Sequence, residues 1–310
     1  MDCKHNEIIR TIIDTIENWM MLNHISLNVG EELGCALKCN QCTNCTKQRE
    51  KDERIILAYL DSQSKIPPVA PRTLHKSSCY TSSQSALPTD VKTILMDFET
   101  KISLGSSLKY NLSRQIFNAN KKDVILNAWG ITHIHLSSVA VASKTGMKRN
   151  RANYLLLCIF EKNDAFLIDV IPHPTNASDF ACIDYLRIIY REGWLSKIGY
   201  QEVEGAVQCS PDITDDNGLY DLISIANLSF SFEGHVFHRI NGIVCTGHKM
   251  KHVQKMNESF NYIRELLNRC QACEYISPSE SDNDLGILKL VIDGQSISIK
   301  ITLDLNFEEC

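Results

Sequence analysis

Apolar positions fall in two distinct rhythms along this chain. Residues 6–23 place Ile9, Ile12, Ile13, Ile16, Trp19 and Met20 at helical spacing, which predicts an amphipathic helix. A charged stretch, Lys47 to Arg54, leads into Ile55, Ile56, Tyr59 and Leu60, a second helix that Pro67, Pro68 and Pro71 bring to an end. Residues 90–120 repeat the helical rhythm with Val91, Ile94, Leu95 and Phe98. Gly105 should break it before a short helix at Leu108–Phe117. The rhythm then changes. Residues 131–137, 154–160 and 165–171 read as strands. The last two are short apolar runs bounded by turn residues, as central strands are. Ser178 or Asp179 is placed to cap a helix carrying Phe180, Ile183, Leu186 and Ile189. Beyond residue 206 come turn-rich segments and a hairpin around Phe230, Phe232 and Gly234. A helical stripe from Met250 to Leu267 follows. A final hairpin turns at Asp293-Gly294, with Ile297, Ile299, Ile301 and Leu303 on one face.

These elements predict an α+β protein. Its parts would be a helical region with a cysteine cluster (1–65), a Ser/Thr/Pro-rich linker (66–89), a small antiparallel sheet flanked by helices (90–205), and a C-terminal α+β domain (206–310). The 310 residues are enough for about two domains. A composition 44% hydrophobic and 22% charged is ordinary for a chain that buries a core. Net charge of -5 argues against an overall nucleic-acid coat but leaves room for a local basic patch. No apolar run is long enough to span a bilayer, and the polar start does not read as a signal peptide. A cytoplasmic location with no membrane partner is expected. Thirteen cysteines then suggest reduced thiols, which cluster more often for metals than for disulfides.

The most informative local pattern is Trp129-Gly130-Ile131-Thr132-His133-Ile134-His135-Leu136. In a strand, His133 and His135 project from one face about 6–7 Å apart, with Ile134 and Leu136 turned into a core. Lys144, Lys148, Arg149 and Arg151 follow in a loop, and His173 closes the next strand pair. Metal-free RNA cleavage needs a base for the 2′-hydroxyl, an acid for the leaving 5′-oxygen, and cations for the phosphorane charge. Histidine serves the first two near neutrality, and arginine matches phosphate oxygens bidentately. His133, His135, Arg151 and His173 are the candidate catalytic residues, with Lys144, Lys148 and Arg149 as RNA-binding residues. Satisfied strand histidines, a merely solvated basic turn, and a three-histidine zinc site are the competing readings.

His133-Ile134-His135-Leu136, the arginine-bearing loop, the Leu-rich strand, Ile171-Pro172-His173-Pro174, then Ala177, Asp179 and a helix resemble the YafO family of toxins. These are ribosome-associated mRNA endonucleases of the RelE/ParE-like superfamily. The resemblance covers residues 124–192. It implies a small antiparallel sheet flanked by helices, no catalytic metal, RNA or ribosome-bound mRNA as partner, and neutralisation by an antitoxin or inhibitor protein. His133, His135, Arg151, His173 and Asp179 match the family by position. A bacterial toxin–antitoxin or antiphage-defence endoribonuclease is the implied activity. The chain departs from the family in its much greater length. It also carries Tyr190 and Trp194, which could stack on a base but are more often core or rim aromatics.

Cys35, Cys39, Cys42 and Cys45 form a second cluster, four thiols in eleven residues. Metal binding is the leading expectation, as zinc or an iron–sulfur cluster, with redox sensing or chance clustering as the alternatives. The first three also match a short radical-SAM pattern, without that family's surrounding α/β units. Cys270 and Cys273 would be half of a zinc site with His248 or His252, or simply a surface pair. The alternative to a nuclease is a non-enzymatic, metal-bound sensor whose degenerate toxin fold binds protein or RNA.

Overall fold

The computed structural model describes residues 3–22, 25, 43–119, 123–137, 140–141, 148–149, 153–175, 180, 182–216, 219, 229–239, 250–270, 272–276, 278, 284–292, 294–302, 305 and 307–309. The chain is α+β and forms two units, both interrupted in sequence. One comprises Met1–Gln63, Phe117–Asn120 and Lys251–Cys310; the other comprises Ser64–Ile116 and Lys121–Met250. This differs from the expected partition at 65, 89 and 205. The two ends of the chain share one core, and the hairpin beyond 206 belongs with the middle.

In the first unit, α1 (Cys3–Leu22) and α2 (Thr43–Ser64) bury Ile12, Ile13, Ile16 and Met20, and Ile55, Ile56 and Tyr59. These are the residues whose spacing predicted the helices. Trp19 meets Tyr59 edge-on, ring centroids 5.1 Å apart. A later helix, Met250–Arg269, buries Met256, Phe260, Ile263 and Leu267 in the same cluster. An antiparallel meander follows, β10 (Ala272–Ile276), β11 (Asp284–Ile292), β12 (Gln295–Thr302) and β13 (Phe307–Glu309), in that spatial order. Leu288, Leu290, Ile299 and Ile301 bury against the helices.

The second unit is built on a four-stranded sheet. Its strands are β1 (Thr73–Lys76), β2 (Ile131–His135), β5 (Tyr154–Phe160) and β6 (Asp164–Pro172), ordered β1-β6-β5-β2. Strands β2, β5 and β6 are antiparallel as expected. β1 joins β6 in parallel, so the sheet is mixed. Residues 66–89 thus carry β1 and α3 (Ser78–Ala86), where a linker was expected. The polar pattern Thr73-Leu74-His75-Lys76 suits an edge strand, and α3 hides Tyr80 alone.

Ser77 fixes the join between β1 and α3. Its hydroxyl accepts from the Tyr80 N–H as the helix N-cap and donates to the Ile168 carbonyl at 2.5 Å. Ile168 is the residue that a β-bulge leaves unpaired against β5. The buried Arg72 donates to the carbonyls of Glu161, Ala70 and Pro68, which ties the proline-rich approach to the sheet.

α4 (Thr89–Leu104) ends where its glycine predicted. Gly105 adopts φ 71° and its N–H caps Ile102 O. The expected helix at 108–117 is instead two 3₁₀ turns, Lys109–Asn111 and Arg114–Phe117. The helix expected after Ser178 or Asp179 begins later, as Ile183–Arg191, and Asp216 accepts from the Ile183 N–H at 2.7 Å. A hairpin of β8 (Ser229–Phe232) and β9 (His235–Arg239) turns through Glu233 and Gly234, both at positive φ, and pairs with β7 (Tyr200–Glu202). Phe230, Phe232, Phe237 and Tyr200 enter the same core as the Ile183–Arg191 helix.

Candidate active site at the histidine cluster

The site begins with a helix of six residues. Asp123 N-caps α5 (Val124–Trp129), its Oδ1 accepting from the Leu126 N–H at 3.1 Å. Gly130, at φ 68°, ends α5 and turns the chain directly into β2. Ile125, Leu126 and Trp129 are buried and anchor this short element. Its geometry carries Asp123 back alongside the strand it precedes.

Strand register assembles the histidines. His133 lies opposite Leu157 and His135 opposite Leu155, while Leu155 is in turn opposite Ile171. The His173 N–H continues the β5–β6 ladder by donating to Asn153 O at 2.8 Å. Being two residues beyond Ile171, His173 returns to the face of His135. The rings of His133 and His135 are 5.9 Å apart, and those of His135 and His173 are 5.1 Å apart. Phe180 lies 5.2 Å from the His133 ring. The sequence thus pointed to three residues that the sheet does bring together.

The face they occupy is itself a core face. Leu155, Leu157, Ile159, Phe166 and Ile171 share it and belong to the buried core of this unit, with Ile183, Leu186 and Ile189. Ile134 and Leu156 are buried on the opposite face, so the sheet is covered on both sides. Only 13% of the His133 side chain is exposed.

That burial sets the electrostatics. Desolvation pushes His133 below the ordinary histidine value, the Asp123 carboxylate acts upward, and His173 acts downward. Nδ1 of His133 faces Asp123 Oδ2 at 3.5 Å without a hydrogen bond among the described residues. His173 is held more firmly. Its Nδ1 lies 2.7 Å from Pro174 O, and because a carbonyl only accepts, Nδ1 carries the proton. Its Nε2 is then a lone-pair acceptor when the ring is neutral and a donor when the ring is charged. One end of the sheet therefore holds a neutral, buried imidazole beside a carboxylate, with a second imidazole of fixed tautomer. This is the equipment of a proton-transfer site.

The other candidates divide. Lys148 and Arg149 form β4 (Lys148–Arg149), paired with β3 (Ala140–Val141) inside the expected loop; their side chains lie outside the described residues. Lys144, Arg151, Asp179, His248, Cys35, Cys39 and Cys42 also lie outside them, as does the side chain of Cys45 in α2. Tyr190 and Trp194 pack on the core, against Phe232 and Phe237 and against Phe166 respectively. The pairing of His252 with Cys270 and Cys273 fails on distance. His252 stands near the start of the Met250–Arg269 helix and Cys270 just beyond its end, about 27 Å apart along the axis at 1.5 Å per residue. Its imidazole is engaged with Asp61 instead.

Among the described residues no group of three His, Cys, Asp or Glu side chains has the geometry to hold a metal ion. No described helix is long and apolar enough to cross a membrane. The strand pattern missed Asp123, although an aspartate directly before the apolar run Val124-Ile125-Leu126, with Gly130 closing the segment, is a legible N-cap signal. Nothing local marks the Pro174 carbonyl. No family model, no curated protein and no solved structure matches this chain.

Proposed function

We propose that this chain is a toxin-like or defence-associated endoribonuclease that cleaves mRNA by metal-independent acid–base transesterification at His133, His135 and His173. The carrying observation is the convergence of three imidazoles at one end of one sheet face, in environments that differ. Burial favours a neutral His133, which suits a base. The Pro174 carbonyl holds the proton on Nδ1 of His173 and fixes the ring, which leaves Nε2 to exchange a proton with the leaving oxygen.

In the reaction His133 takes the 2′-hydroxyl proton as O2′ bonds to phosphorus. The P–O5′ bond breaks, and O5′ takes a proton from His173. The products are a 2′,3′-cyclic phosphate and a 5′-hydroxyl, with no redox change. His135 lies between the two rings and lines the site. Arg151 and Lys148, from the basic segment that follows β2, would bind the scissile phosphate, with Lys144 and Arg149 holding flanking RNA. A cytoplasmic setting and an antitoxin or inhibitor partner belong to this proposal.

The test is incubation of purified protein with RNA, and separately with ribosome-bound mRNA, in EDTA. Cyclic-phosphate products are expected, reduced about 10²–10⁴-fold by His173→Ala. Absence of cutting on both substrates removes the reading. The burial of His133 favours a second reading, a non-enzymatic sensor in which the fold binds protein or RNA and Cys35, Cys39, Cys42 and Cys45 hold zinc or an iron–sulfur cluster. There Cys39→Ala or Cys42→Ala abolishes binding while His133→Ala spares it.

A further inference from the structure

We infer that Asp123 is a positioning residue, orienting His133 through Nδ1 so that its Nε2 faces the reacting proton, and stabilising the imidazolium that forms when the proton arrives. This rests on the acid–base reading of the same site. The carboxylate does two jobs with two oxygens. Oδ1 caps α5 through the Leu126 N–H, which fixes the side-chain angle. Oδ2 is left facing His133 Nδ1 at 3.5 Å.

The requirement for such a group is physical. His133 sits on a core face beside Phe180, with Leu157 opposite it on β5. An imidazolium formed there has lost most of its hydration, and the like charge available to His173 opposes it further. Among the described residues, Asp123 is the one influence on His133 that acts in favour of the charged form. A base that could not carry its proton through the transition state would be ineffective, however well placed. A carboxylate behind an imidazole solves this in unrelated hydrolases, and such contacts are often long before substrate binds. The contact is also local, joining residues ten apart through α5, Gly130 and the start of β2, so it is built into one short segment.

The decisive variant is Asp123→Asn in the full-length chain. Asparagine caps a helix as well as aspartate does, so α5 keeps its N-cap and only the charge is lost. Asp123→Ser, a second neutral cap, serves if the first variant fails to fold. The primary readout is the ¹³C-imidazole NMR titration of His133, assigned by its loss in His133→Gln. The His133 titration should move to lower pH in both variants, since the upward influence of the Asp123 carboxylate is gone. The cleavage rate should fall at least about tenfold, with the acid limb of its pH profile displaced the same way and KM little changed. A His133 titration identical to wild type overturns the inference. If wild-type protein cuts no RNA but the titration still moves, the carboxylate–imidazole coupling stands and the nuclease reading alone fails.

Discussion

His252 Nδ1 lies 2.6 Å from Asp61 Oδ1, with 8% and 2% of the two side chains exposed. The residues are 191 apart in sequence, one from α2 and one from the Met250–Arg269 helix. A buried carboxylate–imidazole pair adds little net stability over apolar residues of similar volume, but removing one partner strands the other's polar group. Asp61→Leu alone should destabilise the chain by about 3–5 kcal/mol. Adding His252→Leu should recover much of that loss. Urea unfolding of the two single variants and the double variant measures the coupling; strict additivity would refute it.

His133 gives a pH signature that does not depend on catalysis. Burial depresses its folded value, so the unfolded chain binds that proton more readily than the native state. The contribution of this residue is complete above the ordinary histidine value of about 6.5 and is lost progressively as pH falls from there to the depressed folded value. Melting temperatures between pH 8 and pH 5 should therefore drop less steeply in His133→Gln than in wild type. A steeper drop in the variant would contradict the assignment.

Arg72 is a buried cation that donates to three backbone carbonyls. Burial lowers its affinity for the proton, and the neighbouring Cys158 acts upward. Arg72→Met removes the donors to all three carbonyls and should cost about 2–4 kcal/mol. Arg72→Lys keeps the charge but cannot fork toward diverging acceptors, so it should recover only part of the loss. The midpoint of chemical denaturation reports both.

Gly105 and Gly193 separate two costs. Both have left-handed backbone, φ 71° and 73°. A Cβ at Gly105 would lie 2.4 Å from the Ala70 carbonyl carbon, whereas nothing lies within 4 Å of one at Gly193. Gly193→Ala should cost about 1–2 kcal/mol for conformation alone. Gly105→Ala should cost clearly more, because backbone at Ala70 must also shift. Equal losses in melting experiments would show that the 66–72 segment yields freely.

The sequence by itself determined the elements with strong local periodicity. The helices around Ile12, Ile56 and Phe260, the strands 154–160 and 164–172, and the terminal hairpin all follow from side-chain spacing, because burying one face rewards one period. It also determined that His133 and His135 share a strand face, since alternation needs no long-range information. Only the tertiary structure decided what that face meets. Pairing through Leu155 brings His173 beside His135, and α5 brings Asp123 behind His133. The same fold buries the histidine face, because the Ile183–Arg191 helix packs there. The parallel place of β1, the cap from Asp216 and the common core of the two chain ends were equally out of local reach. Each joins residues far apart in sequence, and such contacts leave no periodic trace at either end.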